Sequence, residues 1–111
     1  MDEEVFLIDS DGKRFSSDNI SSHIGLAYLI LKENEELKKE FEQSGKRDPL
    51  EFLLGNKGYM TVSNFGPYKK VIYDSELASE EQKRWIQYYN DEGYKLNDLA
   101  EEKKKLEKGE L

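Results

Sequence analysis

Tyr59-Met60-Thr61-Val62-Ser63, then Asn64-Phe65-Gly66-Pro67, then Tyr68-Lys69-Lys70-Val71-Ile72-Tyr73 carries the strongest strand signal of the chain. Two runs rich in aromatic and β-branched residues flank a turn-forming centre, the pattern of two strands joined by a loop. Pro67 at the mouth of the second run gives up only a marginal ladder hydrogen bond. Alternation in that run puts Val71 and Tyr73 on one face, and Lys70 and Ile72 on the other. A lone hairpin is marginal in water and needs a third strand or a helix beneath it. Val5-Phe6-Leu7-Ile8-Asp9, an apolar run closed by Ser10-Asp11-Gly12, supplies the third strand. The expected fold is therefore α+β: a small three-stranded antiparallel sheet, strand 5–9 with hairpin 59–73, packed against four to five short helices.

The helices announce themselves by their ends. Ser17 or Asp18 is placed to cap a helix whose apolar residues Ile20, Ile24, Ala27 and Leu31 recur at helical spacing. Asn34 before Glu35-Glu36 opens a second helix with Leu37 and Phe41 inward, and Ser44-Gly45 ends it. Asp48-Pro49 is a cap followed by proline at the first helical position, and the helix stops at Gly55 or Gly58. Ser79-Glu80-Glu81-Gln82 is a capping box, and the helix it opens buries Trp85, Ile86 and Tyr89 before Gly93. Asn97-Asp98 caps a last helix whose apolar side is thin, so that it frays. The domain reading is one compact unit over residues 1–96 and a charged C-terminal helix over 97–111. Leu31, Phe52, Val71 and Trp85, from four elements, are expected to meet in the core.

Charge is laid out in three blocks. Residues 1–44 carry 11 acids against 5 bases, residues 45–72 carry 5 bases against 2 acids, and residues 73–111 carry 11 acids against 7 bases. The net charge is −7 over 111 residues. Charged residues make up 37% of the chain against a norm of ~25%. Disorder is set aside because the apolar residues are periodic and the aromatics need somewhere to pack. Without cysteine there is neither a disulfide framework nor a thiolate metal site. The acidic start, Met1-Asp2-Glu3-Glu4, is unlike a signal peptide, and no apolar run approaches a membrane span. The expected location is the cytoplasm. Fourteen lysines against three arginines fit an AT-rich genome, such as that of a low-GC bacterium or its phages.

Several patterns bear on chemistry. Asp9-Ser10-Asp11-Gly12 after a hydrophobic strand resembles the first motif of haloacid-dehalogenase-type phosphatases. That resemblance implies a nucleophilic Asp9, an acid/base Asp11 and a nearby Mg²⁺. It covers only residues 5–12, Lys13 stands where that family prefers Thr or Val, and the chain is too short for the family's parallel sheet. A turn-forming D-x-D-G is the plainer reading. Read as a calcium loop, the same residues lack the closing glutamate, since position 20 is Ile20. His23 is the sole histidine and has no second one at i+4, which excludes a zinc pair. Gly55, Gly58 and Gly66 do not form a phosphate loop. No enzymatic activity, metal or cofactor is expected.

Three helices followed by a hairpin resemble a winged-helix DNA binder, with Lys69 and Lys70 on the wing. The would-be recognition helix, Leu50-Glu51-Phe52-Leu53-Leu54, is apolar and acidic, whereas base readout calls for Arg, Lys, Asn or Gln. The net charge gives no general attraction to DNA. Tyrosines cluster after residue 58, and Tyr88 and Tyr89 point about 100° apart on a helix, so both cannot be deeply buried. Exposed tyrosines are favoured at interfaces. The expected role is a non-enzymatic module that binds another protein with a basic surface through Glu35, Glu36, Glu40, Tyr68 and Tyr88. Its sharpest form is an inhibitor encoded by a phage or mobile element, which covers a partner's nucleic-acid-binding face. This chain resembles anti-defence proteins in style alone, being small, acidic and without cysteine. The alternative is a winged-helix-like DNA-binding regulator using the 59–73 hairpin.

Overall fold

A computed structural model describes residues 4–107. The chain runs β1 (Glu4–Ile8), β2 (Arg14–Phe15), α1 (His23–Glu33), α2 (Glu35–Ser44), α3 (Pro49–Gly55), β3 (Met60–Phe65), β4 (Tyr68–Tyr73), α4 (Glu80–Asp91), β5 (Lys95–Asp98) and α5 (Leu99–Glu107). The class is α+β. The expected three-stranded antiparallel sheet is, however, a five-stranded mixed sheet of order β2-β1-β3-β4-β5. β1, β3 and β4 pair antiparallel as the sequence implies. β2 adds two residues beside Leu7 and Ile8. β5 pairs parallel with β4, Val71 opposite Leu96 and Tyr73 opposite Asp98, after a crossover through α4. Both added strands are too short, at two and four residues, to show a period. The expected change of character between residues 96 and 97 falls inside β5.

β1 explains the layering. Its apolar run does not alternate with polar residues because both of its faces are covered. Val5 and Leu7 pack with Leu26, Ala27, Ile30 and Leu31 of α1, Leu37 of α2, and Phe52 and Leu53 of α3. Phe6 and Ile8 pack on the opposite face with Met60, Val62, Val71 and Tyr89 of α4. The sheet therefore separates two cores, and Leu31, Phe52, Val71 and Trp85 do not meet. Leu31 and Phe52 lie in one core and Val71 in the other. Trp85 is only half-buried at the edge of the second core, whose deep residue from α4 is Tyr89, 3% exposed.

Local signals account for most boundaries. α1 starts later than the apolar pattern suggests, because Ser22 is the residue whose hydroxyl accepts the Gly25 amide. Ser17, Asp18 and Ile20 instead form a turn with a bridge from Ser17 to Ile20. Asn34 accepts the Leu37 amide, and Asp48 accepts the Leu50 amide. The hairpin is tighter than expected. Asn64 and Phe65 stay in the ladder opposite Lys69 and Tyr68, leaving Gly66-Pro67 as a two-residue turn. Gly66 has φ +72°, the left-handed value a primed turn needs at its first central position. Fraying beyond residue 107 lies outside the described residues. No helix among those described is long and apolar enough to cross a membrane.

One buried polar side chain ties the layers together. Gln82, 1% exposed, donates from Nε2 to the carbonyls of Gly58 (2.7 Å) and Ile8 (3.3 Å). Its Oε1 accepts the Ser79 amide at 3.0 Å, while the Ser79 hydroxyl accepts the Gln82 amide, completing the capping box. The cap is thus also a bolt between α4, the end of β1 and the loop that leads into β3.

Candidate functional site

The turn after β1 is built by Asp9. Its Oδ1 accepts the amides of Asp11 (3.0 Å) and Lys13 (2.9 Å), and the Lys13 carbonyl accepts the Asp9 amide. This carboxylate is thus used by the turn itself, the plainer of the two readings of D-x-D-G. Among the described residues, no group of three or more His, Asp or Glu is placed to hold a metal ion. Gly12, at the end of the turn, has φ +84°, and a Cβ there would come within 3.1 Å of Glu81 Cβ on α4. That close approach lets the Gly12 carbonyl accept the Trp85 indole N–H at 3.0 Å. The Ser79 hydroxyl donates to the Ser10 carbonyl from the same side. The turn and α4 are therefore one unit.

Trp85, Tyr88 and Tyr89 lie on consecutive turns of α4, and their rings touch. Trp85 and Tyr88 meet edge to face, 5.9 Å apart at 84°, and Trp85 and Tyr89 stack at 5.8 Å. Tyr94 closes on Tyr89 at 4.8 Å. Arg14 lays its guanidinium over Phe6 at 4.7 Å and over Trp85 at 5.7 Å, so β2 is held to α4 by cation–π contact. Burial raises the Tyr89 phenol to about 12, an effect Arg14 partly offsets, and the phenol stays neutral. Tyr88 is 51% exposed. With Trp85, Asp11, Gly12, Glu81 and Arg84 it lines a hollow of about 400 Å³.

The residues expected to bind a partner fall on separate surfaces. Glu35 and Glu36 are exposed in the first turn of α2, where they also suit the helix dipole. Glu40 is exposed and pairs with Lys57 at 2.8 Å. Tyr68 is 55% exposed at the hairpin tip, its ring 6.3 Å from Phe65. α2 and α4 cover opposite faces of the sheet, so the structure does not bring Glu35, Glu36 and Glu40 together with Tyr88. What it does assemble around Tyr88 is Trp85, Asp11, Glu81 and Arg84, which the sequence reading did not group. The i,i+3 spacing of Trp85 and Tyr88 and the i,i+4 spacing of Glu81 and Trp85 were the available signals. Joining them to Asp11 required the fold.

His23 stands at the start of α1 with Nε2 3.0 Å from the Val62 carbonyl, an arrangement in which Nε2–H donates. Burial lowers its pKa, with the hydrogen bond to Val62 opposing that shift. It is a half-buried structural link from α1 to β3. Asp98 receives amide hydrogen bonds from Ser75 and Ala100. Burial pushes its carboxyl up, but these bonds outweigh burial and leave the pKa below the ordinary aspartate value.

Comparison with protein-family models, with curated proteins and with solved structures gives no match to this chain.

Proposed function

We propose that this chain is a non-enzymatic protein-binding module that docks on a partner with a basic surface from its α4 side. The observation that carries the reading is Tyr88, half in water, braced edge-on by Trp85 and sharing a hollow with Asp11 and Glu81. A rigid, half-exposed aromatic beside carboxylates suits a protein interface, where tyrosine and tryptophan anchor and charge steers approach. The net charge of −7 favours a basic partner. An inhibitor of phage or mobile-element origin, covering a nucleic-acid-binding face, is the sharper form of the same reading. A partner seated on Tyr88 leaves Glu35, Glu36 and Glu40 uncovered unless it wraps round the sheet. The wing of a DNA-binding regulator finds less support. β3 is paired on both sides by β1 and β4, and β4 by β3 and β5, so the hairpin does not stand free.

A photo-crosslinking residue at Tyr88, introduced in the native host, tests the proposal. It should trap a basic protein, and the yield should fall as salt rises. Gel shifts with duplex DNA at low salt should give no complex. Tight DNA binding that disappears on Lys69→Glu with Lys70→Glu would overturn the module reading in favour of the regulator.

A further inference from the structure

We infer that the hollow between Trp85 and Tyr88 receives an arginine side chain of the partner, its guanidinium against the tyrosine ring and its N–H groups toward Asp11 and Glu81. This rests on the reading of the chain as a module for a basic partner, and it names what that partner inserts. The two rings stand at 84° with centroids 5.9 Å apart, forming two walls of an open corner. Tyr88 keeps about half of its surface in water, so its ring is accessible. Asp11 and Glu81 line the same hollow and outnumber the one base there, Arg84. A cation on the Tyr88 ring gains from the ring quadrupole, and carboxylates at the rim offset its desolvation.

Arginine is preferred to lysine because its planar group can lie flat on a ring while its fork of donors meets carboxylates, which a point-like ammonium cannot do. Arg84 is the built-in competitor, because it is the one cation that borders the same hollow. Removing it should open the site rather than damage it.

The single tryptophan of the chain sits in the hollow, so its emission reports occupancy directly. Octa-arginine and octa-lysine peptides are titrated into the full chain at 150 mM salt, with affinity read by calorimetry and occupancy by Trp85 fluorescence. The arginine peptide should bind more tightly and should shift Trp85 emission in a saturable way. Tyr88→Ala should weaken it ~3- to 30-fold. Glu81→Gln should weaken it, Arg84→Ser should strengthen it, and reversal of Glu35, Glu36 and Glu40 should leave the fluorescence response unchanged. Circular dichroism of Tyr88→Ala, whose ring is half exposed, checks that the variant is folded. Undiminished calorimetric affinity in Tyr88→Ala would overturn the arginine site while leaving the basic-partner reading in place elsewhere on the surface. Equal affinity for both peptides would reduce the interaction to charge alone and overturn the guanidinium assignment. No binding of either peptide even at low salt would overturn the module reading as well.

Discussion

Replacing Gln82 by leucine should be among the most damaging single changes in this protein, and the damage can be worked out bond by bond. Leucine removes the donor to Gly58 and Ile8 and the acceptor for Ser79. A buried polar group left without a partner costs ~1–3 kcal/mol; the two buried carbonyls near the middle of that range and the part-buried Ser79 amide below it together cost about 4. The added apolar surface returns about 1 kcal/mol, leaving a net loss of about 3. A domain of this size has only ~5–15 kcal/mol in total. With a urea slope of ~1.5 kcal/mol per molar, the unfolding midpoint should fall by about 2 M. Urea titrations followed by Trp85 emission and by far-ultraviolet circular dichroism give the number. Gln82→Glu sharpens the test. Its carboxyl still accepts from Ser79, but it faces two carbonyl oxygens, which favour the protonated form and raise its pKa above the usual ~4.3. The unfolded chain then ionises first as pH rises, and the variant loses ~1.4 kcal/mol per pH unit until the folded-state pKa is reached. Gln82→Glu should therefore approach the parent near pH 4 and fall well behind it at pH 7. A midpoint shift under ~0.5 M for Gln82→Leu, or a Gln82→Glu deficit independent of pH, would mean that Gln82 does not hold these buried groups together.

Phe52→Ala, in the core beneath α1 to α3, should cost ~3–5 kcal/mol, while Trp85→Ala should cost less because its ring is partly exposed. Thermal melts of the two variants give the ranking. Thr61 is 2% exposed, and its hydroxyl has no hydrogen-bond partner among the described residues. Thr61→Val keeps the shape and removes the orphan, so the melting midpoint should rise, by about 1 kcal/mol of stability. His23 has a folded pKa below its ordinary 6.5, so its contribution is fully present above that value and is lost as pH falls through the lower folded pKa. Urea midpoints between pH 8 and 5 should decline on the acid side, and His23→Gln should flatten that slope.

How much of this was legible in the sequence depended on how local each signal was. The capping box at Ser79 and Gln82, the caps at Asn34 and Asp48 and the strand Tyr68–Tyr73 are encoded within a few residues, and they stand where the pattern put them. What failed was non-local. Lys95-Leu96-Asn97-Asp98 becomes a strand only because α4 returns the chain alongside β4. Asp98 does accept the Ala100 amide, so its capping role was legible while the strand beneath it was not. Trp85 reads as part of a single core only if four apolar faces meet, and the sheet keeps them apart. The clue to two cores was present in Val5-Phe6-Leu7-Ile8, whose lack of alternation marks a strand covered on both faces. For the candidate site, Tyr88 was legible as an exposed ring, since its neighbour Tyr89 fills the inward position. The carboxylates beside it were not, because Asp11 and Glu81 meet only through the approach of Gly12 to α4.

The double covering of β1 also has a consequence during synthesis. β2 and the helices α1 to α3 follow β1 directly, but the strand that pairs along its whole length begins at Met60, and Tyr89, which closes its second face, comes later still. At ~5–20 residues per second, the segment waits roughly 3–10 s for β3 alone. Throughout that interval the Phe6 and Ile8 face of the apolar run has neither the ladder to β3 nor the cover of α4. In a nascent chain this acidic, the charges at Asp2, Glu3, Glu4, Asp9 and Asp11 bracket the run and act as gatekeepers against aggregation until β3 is made.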